Sequence, residues 1–187
     1  KKLKNLTIGE RNSNLIIKKH EYVENLQKIE IEFNKKKYSF TTNLIGKIQV
    51  QNILFSILAA SKSNIKFSKI IKSIKNLKAV EGRLESIGNI QNKSKVILDY
   101  AHTPEALKKT LESIKDQFKN SSISIVFGCG GNRDKNKRSI MGKIANQYSN
   151  KIYLTDDNPR YENPKKIRNQ IKSKIDKSKL IEISSRN

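Results

Sequence analysis

The chain has one cysteine, no tryptophan and only three prolines in 187 residues. A single thiol, Cys129, excludes a disulfide framework and fits a reducing compartment. No apolar run approaches the ~20 residues of a membrane-spanning helix, and no signal-like stretch opens the chain, so neither insertion nor secretion is expected. No His, Cys, Asp and Glu cluster has metal-ligand spacing, which excludes a resident metal centre built by this segment. No Ser, His and Asp arrangement suggests a nucleophilic triad. Acidic residues are scarce: 17 stand against 39 basic ones, for a net charge of +22.

That imbalance has two readings. A basic surface attracts phosphate, as nucleic-acid binders do. Alternatively, the Lys excess, spread along the chain with many Asn and Ile, is a compositional bias. No basic block interleaved with aromatics is present and no nucleic-acid module is recognisable, so the second reading carries more weight. The bias makes arginine informative. Only Arg11, Arg83, Arg133, Arg138, Arg160, Arg168 and Arg186 occur. Lys would serve solubility equally well, so an Arg in this background points to a need for its planar fork.

The hydrophobic pattern divides the chain in two. Short alternating segments at 14–18, 28–33 and 37–41 predict strands, the second pair forming a hairpin. An apolar, Ala-containing helix follows over 53–60, led by 46–52, and a second helix over 67–77. A register change at 78–83 puts a domain boundary near residue 81, giving units 1–80 and 81–187. Beyond it, strands at 83–87, 95–100, 122–127, 151–154 and 180–183 alternate with helices at 104–118, 138–148 and 164–175. Thr103 caps the first of these, with Pro104 at its first position. Such alternation predicts an α/β fold with a parallel, Rossmann-like sheet. The chain opens on Lys1 and stops at Asn187 directly after a strand, so a fragment of a longer protein is expected.

Three stretches could carry chemistry. Residues 155–160, Thr-Asp-Asp-Asn-Pro-Arg, stand where an apolar strand ends, on the edge where such sheets bind ligands. They combine two carboxylates, an amide and a guanidinium, a set able to grip an amine and a carboxylate together. The same residues are also ordinary turn chemistry. Residues 99–104, Asp-Tyr-Ala-His-Thr-Pro, end a strand and open a helix. There Asp99 could accept ribose hydroxyls and the helix start could favour an anion, although His102 also suits an ordinary turn. Residues 127–135, Phe-Gly-Cys-Gly-Gly-Asn-Arg-Asp-Lys, resemble a phosphate loop only superficially, because the Gly-Lys-Ser/Thr ending is absent. The glycines instead allow a tight turn presenting Arg133, while Lys135, Lys137 and Arg138 could form a solvated helix start. Cys129 reads as a small buried residue.

Taken in order, Gly-Arg-Leu-Glu (82–85), Asp-Tyr-Ala-His-Thr-Pro (99–104), Phe-Gly-Cys-Gly-Gly-Asn-Arg-Asp (127–134), Lys-Arg-Ser-Ile-Met-Gly (137–142) and Thr-Asp-Asp-Asn-Pro-Arg (155–160) resemble the Mur ligases, specifically their MurE branch. The resemblance runs over 43–160 and more weakly beyond. It implies the end of a central ATP-binding domain (1–80) followed by a truncated Rossmann-like C-terminal domain (81–187). It also implies an ATP-dependent, acyl-phosphate route joining meso-diaminopimelate to UDP-MurNAc-L-Ala-D-Glu for peptidoglycan, in the cytoplasm and as a monomer, with no nucleic-acid partner. By resemblance, Asn52, Arg83, Asp99 and His102 hold ATP, and Arg133, Asp157, Asn158, Pro159 and Arg160 hold meso-diaminopimelate. Mg2+ ligands and the Gly-Lys-Thr loop fall mostly outside the chain, so catalysis by this segment alone is not expected. Gln49 departs from the family's usual Asn and is given no role. A lysine-adding MurE or another Mur or folylpolyglutamate-type ligase is the runner-up, and a non-enzymatic basic protein the third reading.

Overall fold

A computed structural model describes residues 5–90 and 94–184. The chain forms two compact units, Lys1–Asp99 and Tyr100–Asn187.

In the first unit, β1 (Ile8–Gly9), β2 (Leu15–Val23), β3 (Leu26–Phe33) and β4 (Lys36–Thr42) form one sheet in that order. β2, β3 and β4 are joined by two-residue turns, Glu24-Asn25 and Asn34-Lys35, whose residues all have positive φ. Left-handed pairs of this kind match the twist of a hairpin, and Asn tolerates them. β2 runs five residues further than its alternation predicts. A bulge between Ile17 and Lys19 shifts the phase of the pattern there. Leu15, Ile29, Ile31 and Phe40 point to one face and meet α1 (Lys47–Ala60), α2 (Phe67–Ser73) and the 3-10 turn Ile74–Asn76. Gln27, fully buried, donates through Nε2 to the carbonyls of Leu44 (2.6 Å) and Gly46 (3.2 Å) and so fixes the lead into α1. Only one face of α1 is buried; Ile48 and Phe55 are exposed on the other.

The first unit ends in a hairpin of β5 (Glu85–Asn89) and β6 (Lys95–Leu98). This corrects the expected alternation, which counted both strands in the parallel sheet. Only residues 90–94 join them, and a parallel crossover needs a dozen or more residues.

The second unit carries the parallel sheet. β7 (Ser124–Phe127), β8 (Lys151–Thr155) and β9 (Leu180–Ile183) pair in that order. α4 (Asn136–Tyr148) and α5 (Pro164–Lys172) connect them, and α3 (Pro104–Gln117) precedes β7. Thr103 caps α3 by accepting from the Ala106 amide (3.2 Å), with Pro104 at its start. Asn163 does the same for α5, accepting from Lys165 (2.9 Å) and Lys166 (3.3 Å). Ile152, Leu154, Ala145, Met141, Ile167 and Ile171 fill the core. Gly142 lets α4 approach α5 closely: a β-carbon there would overlap the Ile171 carbonyl oxygen. Both crossovers return the chain in the same direction. The loops after β7 and β8 therefore emerge side by side at one sheet edge.

Candidate functional site

Those neighbouring loops, 128–135 and 156–162, are stitched together. The Gly131 amide donates to the Asn158 carbonyl (2.8 Å), and an Arg160 Nη donates to the Gly131 carbonyl (2.7 Å). A β-carbon on Gly131 would overlap the Pro159 carbonyl oxygen, so no other residue fits this approach. Further out, the Asn132 amide donates to Glu162 Oε1 (2.6 Å), and the Tyr161 amide donates to Asn132 Oδ1 (3.1 Å). Arg160 itself sits at φ 48°. The Asn158 side chain supports that turn by accepting from the Arg160 amide (3.2 Å).

Beneath the two loops lies Arg138, fully buried on the first turn of α4. Its Nη1 and Nη2 each donate 2.9 Å bonds to the two oxygens of Glu162. Nη1 also donates to Gln170 Oε1 (2.6 Å), and Nη2 to the Gly130 carbonyl (3.2 Å). The Arg138 guanidinium and the Asn132 amide hold the Glu162 carboxyl down to about 2, well below its ordinary 4.5. Arg138 is pushed up in turn, chiefly by its bond to Glu162. The expectation that Lys135, Lys137 and Arg138 form a solvated helix start is thus wrong for Arg138. Lys137 donates to the His102 carbonyl (2.8 Å), tying the start of α3 to the same region. The His102 ring donates through Nδ1 to the Tyr100 carbonyl (3.1 Å).

The hexapeptide 155–160 does not act as one grip. Asp156 is turned inward onto Arg168, whose Nε also donates to Glu182 (2.7 Å). One of the two carboxylates is therefore structural. Asp157, Asn158 and Arg160 are exposed, with Pro159 partly so. Arg133 is exposed on the adjoining loop and takes no partner among the described residues. One Arg160 Nη is held by Gly131, and among the described residues its Nε and second Nη take no partner. Both forks thus keep donors for an anion at the sheet edge. Cys129 is buried there against the Met141 sulfur (3.8 Å), and burial pushes its thiol up. It is a packing residue, as expected.

In the first unit, the turn before β5 holds Arg83. Its amide donates to the Val80 carbonyl (3.0 Å), and its own carbonyl accepts from Gln49 Nε2 (3.1 Å). Asp99 Oδ2 accepts from the Leu84 amide (2.8 Å), which brings Asp99 and Arg83 to the same turn. Asn52 is exposed on α1, three residues beyond Gln49. Sequence reasoning withheld a role from Gln49; its side chain in fact anchors the backbone that carries Arg83. Among the described residues no group of three or more His, Cys, Asp or Glu could hold a metal ion, and no helix is long and apolar enough to cross a membrane.

A parallel α/β sheet with a glycine-stitched pair of loops at one edge belongs to a known class. The family model "Mur ligase, glutamate ligase domain" matches residues 82–187. The chain therefore belongs to the Mur ligase family. It is 45% identical over 161 residues to the UDP-N-acetylmuramoyl-L-alanyl-D-glutamate–2,6-diaminopimelate ligase of Rickettsia conorii, covering 86% of this chain and 33% of that protein. A solved diaminopimelate ligase structure of the same name superposes with a TM-score of 0.71 at 29% identity, over 97% of this chain and 37% of that one. A MurF ligase from Thermotoga maritima, solved in complex with ADP, gives a TM-score of 0.65 at 20% identity over 97% of this chain and 39% of that one, a likeness of fold alone. The chain spans about a third of the length of the curated relatives it matches.

Proposed function

We propose that this chain supplies the amino-acid-selecting part of an ATP-dependent ligase joining meso-diaminopimelate to UDP-MurNAc-L-Ala-D-Glu. The observation that carries the reading is the stitched loop pair, with Arg133 and Arg160 offering free guanidinium donors beside Asp157 and Asn158. In this reading residues 1–80 end the central domain and 81–187 form the C-terminal one. The whole protein works as a cytoplasmic monomer and does not bind nucleic acid.

ATP supplies a phosphoryl group to the terminal carboxylate of the UDP-sugar peptide, giving an acyl phosphate and ADP. The amine of the incoming amino acid attacks the acyl carbon and loses its proton. The tetrahedral intermediate then collapses, the C–O bond breaks and phosphate leaves. Asn52, Arg83, Asp99 and His102 would hold the nucleotide. The exposed Arg83 guanidinium on its doubly anchored turn suits a phosphate, and Asp99 suits a hydroxyl donor. The resemblance implies Mg2+ as well, which would be held mostly by residues elsewhere in the whole ligase and would offset charge on the phosphoryl oxygens.

Arg160, with Arg133, pairs the distal carboxylate of diaminopimelate through a planar fork, and Asp157 and Asn158 accept from its amine. Lysine lacks that carboxylate and, once the bound amino acid and the rest of the ligase shield the forks from water, would leave them unpaired. A site built for a missing polar partner discriminates by roughly 10⁴ or more. Arg160→Ala in the whole ligase should therefore abolish diaminopimelate addition while leaving the KM for ATP within about twofold, an effect well below the tenfold step of 1.4 kcal/mol. Unchanged diaminopimelate kinetics would refute the assignment.

A further inference from the structure

The Lys-Arg-Ser-Ile-Met-Gly motif contains an arginine for which the substrate reading has no use. Arg138 is fully buried, yet it touches neither candidate ligand residue, Arg133 or Arg160. What it touches is the backbone and side chains that carry them. Nη2 holds the Gly130 carbonyl in the first loop. Both terminal nitrogens hold Glu162, two residues past Arg160 in the second. Glu162 reaches back to the Asn132 amide, the residue before Arg133. Hydrogen bonds run from the Gly130 carbonyl through Arg138 and Glu162 to the Asn132 amide, and the backbone through Gly131 closes the circuit. Arg133 follows Asn132 directly in the first loop, and Arg160 stands two residues before Glu162 in the second.

We propose that Arg138 and Glu162 are positioning residues for amino-acid selection: the ion pair of buried Arg138 with half-buried Glu162 fixes the spacing of the two loops, and so the spacing of the two forks that read the distal carboxylate. This rests on the proposed function. The pair is suited to the task because the Arg fork meets both oxygens of Glu162 at once, which fixes direction as well as distance. Lysine at 138 could satisfy one acceptor but not this set. Gln170, accepting from Nη1, keeps the guanidinium plane aligned with the loops.

The test is steady-state kinetics of the whole ligase with Glu162→Gln, Arg138→Lys and Arg138→Met, varying ATP and amino acid separately. Loosening a site by about 1 Å costs up to ~100-fold. The KM for diaminopimelate should therefore rise between about tenfold and 100-fold, and the preference over lysine should fall by a similar factor. The KM for ATP should stay at the wild-type value. Glu162→Asp, which keeps the charge on a shorter arm, should recover part of the loss, while Arg138→Lys should recover none. A wild-type-like far-ultraviolet circular dichroism spectrum and a cooperative urea transition check that each variant is folded. If Arg138→Met does not fold, the isosteric Glu162→Gln decides alone. A folded Glu162→Gln with unchanged amino-acid KM and unchanged preference overturns the proposal, as does a loss confined to kcat. If the wild-type ligase takes lysine instead, the functional reading falls. The positioning role is then judged by the same rise in the lysine KM against a constant ATP KM.

Discussion

Gly131→Ala is the most direct perturbation of the loop junction. A β-carbon at 131 would overlap the Pro159 carbonyl oxygen and lie 2.6 Å from its carbonyl carbon and 3.2 Å from its Cα. All three atoms are backbone, so no side chain can swing aside. Restoring ordinary contact requires the loops to part by about 1.5 Å. The Gly131 amide bond to Asn158 (2.8 Å) and the Arg160 bond to the Gly131 carbonyl (2.7 Å) would then both exceed the ~3.2 Å limit of a good hydrogen bond. One neutral bond contributes about 1 kcal/mol and one from a charged donor about 1.5–3 kcal/mol. Water reaches this edge and offsets part of the loss, leaving roughly 2–3 kcal/mol on loop opening. Cys129, the sole thiol and only 4% exposed, lies two residues away in the same loop. Its reaction with a thiol reagent under native conditions reports that opening. At 1.4 kcal/mol per decade the labelling rate should rise about 30- to 140-fold. Lys62→Ala is the control, since Lys62 is exposed in the other unit; it should leave Cys129 labelling unchanged. Gly131→Ala labelled at the wild-type rate would refute the close approach.

The remaining predictions concern the core, the ion pair and the first unit. Ile152→Ala removes a fully buried side chain from the parallel sheet and should cost about 2–5 kcal/mol, read as a lower urea midpoint for the second unit. Glu162 is held at about 2 against an ordinary 4.5. A depressed carboxyl stabilises the fold above its unfolded value, and that contribution is lost as pH falls through the folded one. Glu162→Gln should therefore lower the urea midpoint at pH 6, and its gap to wild type should close as pH falls from 4.5 toward 2; a gap that persists to pH 2 contradicts the pairing. Gln49→Ala should raise the KM for ATP in the whole ligase, through the freed Arg83 backbone, and leave the amino-acid KM unchanged; equal effects on both would place Gln49 in general stability.

Periodicity carried the second unit well because its strands are short and apolar and its helices announce themselves with Thr103-Pro104 and Asn163-Pro164. It failed where the local pattern was broken or a partner lay far along the chain. The β2 strand was cut short at Lys18 because the bulge there shifts the alternation, and because His20 is satisfied by buried Gln27 across the hairpin (2.8 Å). The β5–β6 pair looked like the start of the parallel sheet, since strand pattern alone does not specify direction; the length of the connection does. At the site, the Asp-Asn-Pro-Arg tetrad is contiguous and was legible. The Arg138–Glu162 pair spans 24 residues and joins two elements that meet only when the parallel sheet forms. Nothing local marks Glu162, and Arg138 sits in a run of lysines that suggests solvent. Asp156 was misread for the complementary reason. Beside Asp157 it looks like half of a grip, and its true partner, Arg168, is a turn and a half into the structure that follows.

The arginines therefore divide by what their forks must span. Arg138 bridges a carboxylate, an amide oxygen and a main-chain carbonyl; Arg168 bridges Asp156 and Glu182. Each joins two segments that lysine, a single point of charge on a flexible stem, could not hold in one orientation. Both are buried, and their forks are engaged inside the fold. Arg133 and Arg160 are the exposed pair at the sheet edge. If lysine could meet their task, a chain with 39 basic residues, all but seven of them lysine, would be expected to use it there. A planar fork at an exposed position, beside Arg138 that braces both loops and Arg168 that holds the start of the second, is what a bidentate anion such as a substrate carboxylate requires. The bracing explains the specificity as much as the contact does, since a fork discriminates only while its plane is held still.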